Sequence, residues 1–250
     1  MSSYPSRLPE AACRACAALA AALMLMLCGC RCPRAVHTYE YLTDYDRMSD
    51  GCEPLASLVY MAPQADLASY KTLIINEFGV GESWVANDEQ ATAYAMQIRA
   101  LLSKQLRNRR VFETVLLDPA QAEQAPGPAL RMDGRVTVFD LGSGWQRYMS
   151  FWAPFLSHTG ATDFQIEARF VDARTGQTVL ELADRRRHMG NTPWGPNYRT
   201  FDGQFVMRHT VQLTAHSLAE LLNRARADLL TIHPQKEGAA HAVDGVCLLE

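Results

Sequence analysis

The chain has 250 residues, 48% of them apolar and 20% charged, and its 24 Lys+Arg against 27 Asp+Glu leave a formal charge of −3. This balance argues against a strongly basic nucleic-acid binder or an acidic tail, and the ordinary apolar share argues against disorder. Seven cysteines are too few for a disulfide scaffold, and the length allows one large domain or two small ones.

The first thirty residues differ from the rest. Arg7 and Arg14 precede an uncharged stretch, residues 15–27, rich in Ala, Leu and Met, and Cys28-Gly29-Cys30 follows it. A basic start, a short apolar run and small residues before a cleavage point describe a secretory signal. The run is shorter than the ~18–20 residues a transmembrane helix needs. Leu27-Cys28-Gly29-Cys30 resembles the bacterial lipobox, with Leu27 and Gly29 matching and Cys28 departing from the usual second residue. The resemblance implies removal of residues 1–29, a diacylglycerol thioether on Cys30 and an acyl chain on its new α-amino group. Several chains give stable anchoring where one is marginal. Arg31, in place of the Asp that tends to retain such proteins at the inner membrane, implies the outer membrane. The alternative is a plain signal peptide with incidental cysteines.

Loss of residues 1–29 removes two basic residues and one acidic residue, leaving 221 residues and a charge of −4. Cys13 and Cys16, with CxxC spacing, and Cys28 would leave with it, which argues against a metal or redox reading. Of the remaining Cys32, Cys52 and Cys247, any two are able to pair in an oxidising compartment; Cys52–Cys247 is the pairing taken forward. No cofactor other than the covalent lipid is expected.

Residues 30–69 read as an extended arm, part tether and part packed, with Tyr39, Tyr41, Leu42, Tyr45 and Met48 as apolar anchors but no sustained period. Residues 71–78 form a β-rich run that ends at Gly79 and Gly81. Asn87 or Asp88 caps an amphipathic helix whose buried stripe is Tyr94, Ile98, Leu101, Leu102 and Leu106. Residues 111–117 are a second strand. Leu130, Met132, Gly134, Val136 and Val138 alternate with polar residues, as do Phe164, Ile166, Ala168 and Phe170. Asp172 to Gly176 supply a turn, and residues 177–183 return as a hairpin strand. A loop-rich stretch, 189–204, precedes a second amphipathic helix carrying Val211, Thr214, Leu218, Leu221, Leu222, Ala225 and Leu229.

The order β-α-β-β-β-β-α predicts a single α+β domain over residues 70–233, a mostly antiparallel sheet with both helices on one face, and a flexible tail over 234–250. Tyr41-Leu42-x-x-Tyr45-x-x-Met48, followed by Ala65-Asp66-Leu67-Ala68-Ser69-Tyr70, resembles a family of uncharacterised bacterial lipoproteins that opens with a Phe-Leu-x-x-Tyr-x-x-Leu signature. Gly142-Ser143-Gly144, Arg147-Tyr148, Gly160-Ala161-Thr162 and Asp172-x-x-Thr175-Gly176 resemble a related family. The element order is similar to that of the amino-terminal domain of TolB and the curli secretion lipoprotein. These resemblances imply a fold and an address; they bring no catalytic residues.

No GxSxG, HExxH or Walker loop is present. Gly79-Val80-Gly81-Glu82 sits where a phosphate-binding turn would, but it lacks a third glycine and Glu82 would repel phosphate. His209 and His216 lie two helical turns apart, about 10.5 Å by the 1.5 Å rise, too far to share a metal easily. Arg185, Arg186 and Arg187 alternate faces in a strand and do not make one patch. Trp145, Tyr148, Phe151, Trp152 and Phe155 recur at helical spacing, and Pro154 keeps any helix short. They suit a partner or membrane surface, or a lid over the core. These features point to an outer-membrane-anchored periplasmic lipoprotein acting as a non-enzymatic interaction or assembly module. Its partners would be the membrane, through its lipid, and an envelope protein or lipid. The alternatives are an envelope-polymer hydrolase and a small-ligand carrier.

Overall fold

The computed structural model describes residues 36, 38, 41–42, 44–50, 55–124, 127–152, 160–188 and 198–229. Its elements run β1 (Ser49–Asp50), β2 (Leu58–Met61), β3 (Thr72–Ile75), β4 (Gly79–Val85), α1 (Asp88–Arg109), β5 (Thr114–Leu116) and β6 (Ala129–Asp140). Then follow α2 (Gly144–Trp152), β7 (Thr162–Asp172), β8 (Thr178–His188) and α3 (Gly203–Arg226). The sheet has eight strands in the order β1-β2-β8-β7-β6-β3-β5, and β4 also pairs with β6. The α+β architecture and mostly antiparallel sheet expected from the sequence are therefore present. Antiparallel ladders join β1 to β2, β2 to β8, β8 to β7 and β7 to β6, whereas β3 and β4 run parallel to β6.

α1 forms where the apolar period predicts it. The Asn87 side chain accepts the Gln90 N–H, Asp88 and Glu89 oppose the positive end of the helix dipole, and Arg107 and Arg109 sit in the last turn. Ile98, Leu102 and Leu106 are fully buried against the sheet. β3, α1 and the parallel strand β5 make a helical crossover unit. Arg99 reaches from α1 into the gap where these strands end, donating to the carbonyls of Ile75 and Leu117. α3 starts at Asp202, whose carboxylate accepts the Phe205 N–H at 3.0 Å. It buries Val211, Thr214, Leu218, Leu221, Leu222 and Ala225 on the same sheet face as α1.

Three local features differ from the sequence reading. Residues 79–85, where the sequence reading ends the β-rich run at Gly79 and Gly81, form the strand β4. Backbone pairing of Gly79 and Val80 with Arg135 and Val136 holds it there despite a polar, glycine-containing sequence. Strands β1 and β2 draw part of the expected arm into the sheet. Leu229 does not continue the buried stripe of α3: the helix ends at Arg226, Asp228 takes a left-handed φ of 55°, and Leu229 is exposed. Among the described residues no helix is long and apolar enough to cross a membrane.

The helix-covered face carries the main core, so Ile98→Ala should lower unfolding free energy by roughly 2–5 kcal/mol in urea melts. Met96→Ala, two residues away on the exposed side of α1, should change it by less than about 0.5 kcal/mol.

Candidate functional site

The sheet has a second face, and it is polar yet buried. Along β7, Phe164, Ile166, Ala168 and Phe170 join the helix-side core, so the alternation sends Gln165, Glu167 and Arg169 to the other side. Gln165 and Glu167 are nevertheless sealed from solvent, as is Glu181 on β8. The cover is the segment 41–50, which crosses the strands in turn. Tyr41 lies within cation–π reach of Arg135 on β6 and Arg169 on β7, and Arg169 donates to the Tyr41 carbonyl at 2.9 Å. Leu42 and Met48 pack with Leu58 and Ala183 in a small second core, to which Val36, Tyr41, Tyr45 and Tyr60 add. Arg47 then reaches Glu181 and lies 4.1 Å over the Tyr60 ring, before Ser49 pairs with Val59 in β1.

Glu167 is the centre of this face. Its Oε2 accepts the Tyr45 O–H at 2.5 Å, and its Oε1 accepts from Thr137 at 3.0 Å and Gln165 at 2.8 Å. The Leu42 backbone N–H adds a fourth donor. Burial raises the Glu167 pKa above its ordinary value, and the four donors only partly offset that rise. Glu181 is held between Arg47 and the Arg169 Nε, 3.2 Å from its Oε1. Burial also pushes the Tyr41 phenol up to about 12, with Asp133 adding to the rise. These carboxylates fasten a strap; they do not line a cleft.

The second notable region is the end of the sheet where β6 meets α2. Trp145 and Tyr148 stack with ring centroids 5.8 Å apart, and Tyr148 stacks on Phe201 at 5.2 Å. Trp145 is 62% exposed and Phe201 48%, so Trp145 is not a lid over the core. Among the described side chains of α2, Arg147 is the buried one. Its Nη1 donates to the carbonyls of Leu141 at 2.6 Å and Gly160 at 2.7 Å, and burial lowers its pKa. Gly142, at φ +61°, has no room for a Cβ, which would fall 2.3 Å from the carbonyl oxygens of Gly160 and Ala161. Gly160 itself sits at φ +80°. The glycines and Arg147 quoted in the sequence resemblance thus make one knot.

Phe151 and Trp152 belong to α2, but their side chains lie outside the described residues, as do Cys30, Cys52, Cys247 and Phe155. The three arginines alternate faces as expected, and each is ion-paired: Arg185 and Arg187 with Asp163, and Arg186 with the buried Asp184. His209 packs edge-on to His188 with centroids 5.4 Å apart, and His216 contacts Arg109. Among the described residues no three His, Cys, Asp or Glu side chains form a metal-binding group. Open hollows are present among the described residues. One, of about 400 Å³, includes Arg47, Tyr60 and Asp228 in its wall; another, of about 670 Å³, includes Asn76, Arg99 and Asp133.

No family model matches the chain. No curated protein matches it in sequence. Among solved structures, the PelC dodecamer of Paraburkholderia phytofirmans matches with 12% identity over 66% of this chain and 94% of that one, at a TM-score of 0.40. A candidate neuraminyllactose-binding hemagglutinin homolog from Helicobacter pylori matches with 12% identity over 67% and 94%, at 0.32. A candidate lipoprotein of Caulobacter crescentus matches with 13% identity over 66% and 92%, at 0.28. Values this low assign neither a family nor an activity.

Sequence reading missed Glu167 and Arg169 because alternation marks them as solvent-facing, and Arg47 and Glu181 because no local pattern announces a pair 134 residues apart. The available signal was the arm itself, whose aromatic anchors need a face on which to be buried.

Because the Glu167 pKa is raised in the fold, its contribution to stability is fully present below the unfolded value near 4.5 and lost as pH rises through the folded value. Chemical melts of wild type and Glu167→Gln over that range should show the wild type losing stability relative to the variant as pH rises; a flat or widening difference contradicts the assignment. Tyr45→Phe, which removes a donor from a buried carboxylate, should cost about 1–3 kcal/mol in the same melts.

Proposed function

We propose that this protein is a lipoprotein of the bacterial envelope, anchored by acyl chains on Cys30 at the outer membrane, whose domain acts as a non-enzymatic interaction module. The observation that carries this reading is the fastening of the arm. Val36 already packs against the strap core of Leu42, Met48, Leu58 and Ala183. Only residues 31–35 separate it from Cys30, and six residue steps span at most about 21 Å. A chain anchored at Cys30 is then a domain held against a membrane surface, not one roaming on a long leash.

An interaction role is supported by what the buried charges do. Glu167, Glu181 and Arg147 are the most enclosed ionic groups outside the strand-end ion pairs, and each is engaged in holding a segment in place. The aromatic row of Trp145 and Tyr148 is left as the contact surface. The hydrolase and carrier readings gain no specific cluster among the described residues.

Metabolic labelling with a fatty-acid probe tests the anchor. The wild type should be labelled and should fractionate with membranes, and Cys30→Ala should lose both properties. Undiminished labelling of Cys30→Ala overturns the proposal.

A further inference from the structure

We propose that Trp145, Tyr148, Phe201 and Phe205, rimmed by Arg199 and Arg208, form a seat for the headgroup layer of a phospholipid surface. The inference deepens the reading of Cys30 as an anchor and rests on it for the choice of partner.

Three rings lie in one row: Trp145 on Tyr148 with an interplanar angle of 26°, and Tyr148 on Phe201 with an angle of 28°. Phe205, one turn into α3, is also exposed and lies 4.8 Å beneath the Arg199 guanidinium. Arg208 is exposed one turn further along, its Nε donating to the Gln204 carbonyl. The surface therefore offers aromatic area, including the amphipathic rings of a Trp and a Tyr, with guanidinium groups beside it. That combination suits the zone between acyl chains and phosphates, where amphipathic rings and long cationic side chains each find their preferred medium.

The row is also rigid. Arg147, between Trp145 and Tyr148 in sequence, points inward and ties α2 to the carbonyls of Leu141 and Gly160. A Cβ on Gly144 would lie 2.6 Å from the Phe201 carbonyl oxygen, so the start of α2 abuts the 3₁₀ turn Tyr198–Phe201 directly. Pre-set rings lose little freedom on binding. The choice of lipid as occupant rests on the reading of Cys30 as the anchor: the six residue steps from Cys30 to Val36 span at most about 21 Å, which holds the domain within reach of a bilayer.

The test is site-specific photo-cross-linking of the full-length protein reconstituted in vesicles of phosphatidylethanolamine and phosphatidylglycerol at 3:1. A benzophenone amino acid is placed at position 145, 201 or 96, and adducts are read by mass spectrometry, together with the mass of the N-terminal peptide. The expected result is lipid adducts at 145 and 201 about tenfold above those at 96, an equally exposed site on α1. Yields at 145 no higher than at 96, on protein that carries lipid at Cys30, overturn the seat and leave the anchor standing. An adduct joining two copies of this chain at 145 overturns it in favour of a self-interface. Adducts at 145 on protein without lipid at Cys30 sustain the seat and overturn the anchor.

Discussion

Two carboxylates buried on the same face of one sheet set the terms for the rest of this structure. Glu167 and Glu181 stand on adjacent strands, both closed off from water, on the side the helices do not cover. A buried carboxylate without donors costs several kcal/mol, so the chain must bring donors to it. It does so from far away in sequence: Tyr45 and the Leu42 amide come to Glu167, and Arg47 comes to Glu181. The segment that supplies them is thereby fixed across β6, β7, β8 and β2, and its apolar residues gain a core of their own. Polar satisfaction and hydrophobic burial are mutually dependent here, because Leu42 and Met48 exclude the water that would otherwise compete for Glu167.

The same logic operates at the end of the sheet. Arg147 is a buried cation served by backbone carbonyls, which fixes α2 and leaves its aromatic neighbours turned outward. Both devices spend a buried charge on positioning a segment. One fastens residues 44–50 across the sheet, the other sets which rings α2 presents.

The helices and long strands were legible in the sequence because their signals are local. The stripe of Tyr94, Ile98 and Leu102, the Asn87 cap and the alternation in β6 and β7 each follow from side chains a few residues apart. β4 was not legible, since its paired residues, Gly79-Val80 and Trp84-Val85, are interrupted by an irregularity over Gly81, Glu82 and Ser83, a sequence with little β preference. The strap was half legible. Its anchors stood out, but they follow no period because each meets a different strand. The burial of Glu167 and Arg147 was invisible for the same reason: it depends on residues 122 positions away in one case and 13 in the other.

The central claim is that the strap is part of the folded sheet, held there by Glu167. Amide hydrogen exchange at Leu42 measures this directly. The account predicts protection at Leu42 comparable to the amides of β2, and loss of that protection in Glu167→Ala while the amides of β6 and β3 stay protected. Exchange at Leu42 as fast as in an unstructured peptide, in the wild-type protein, would contradict it.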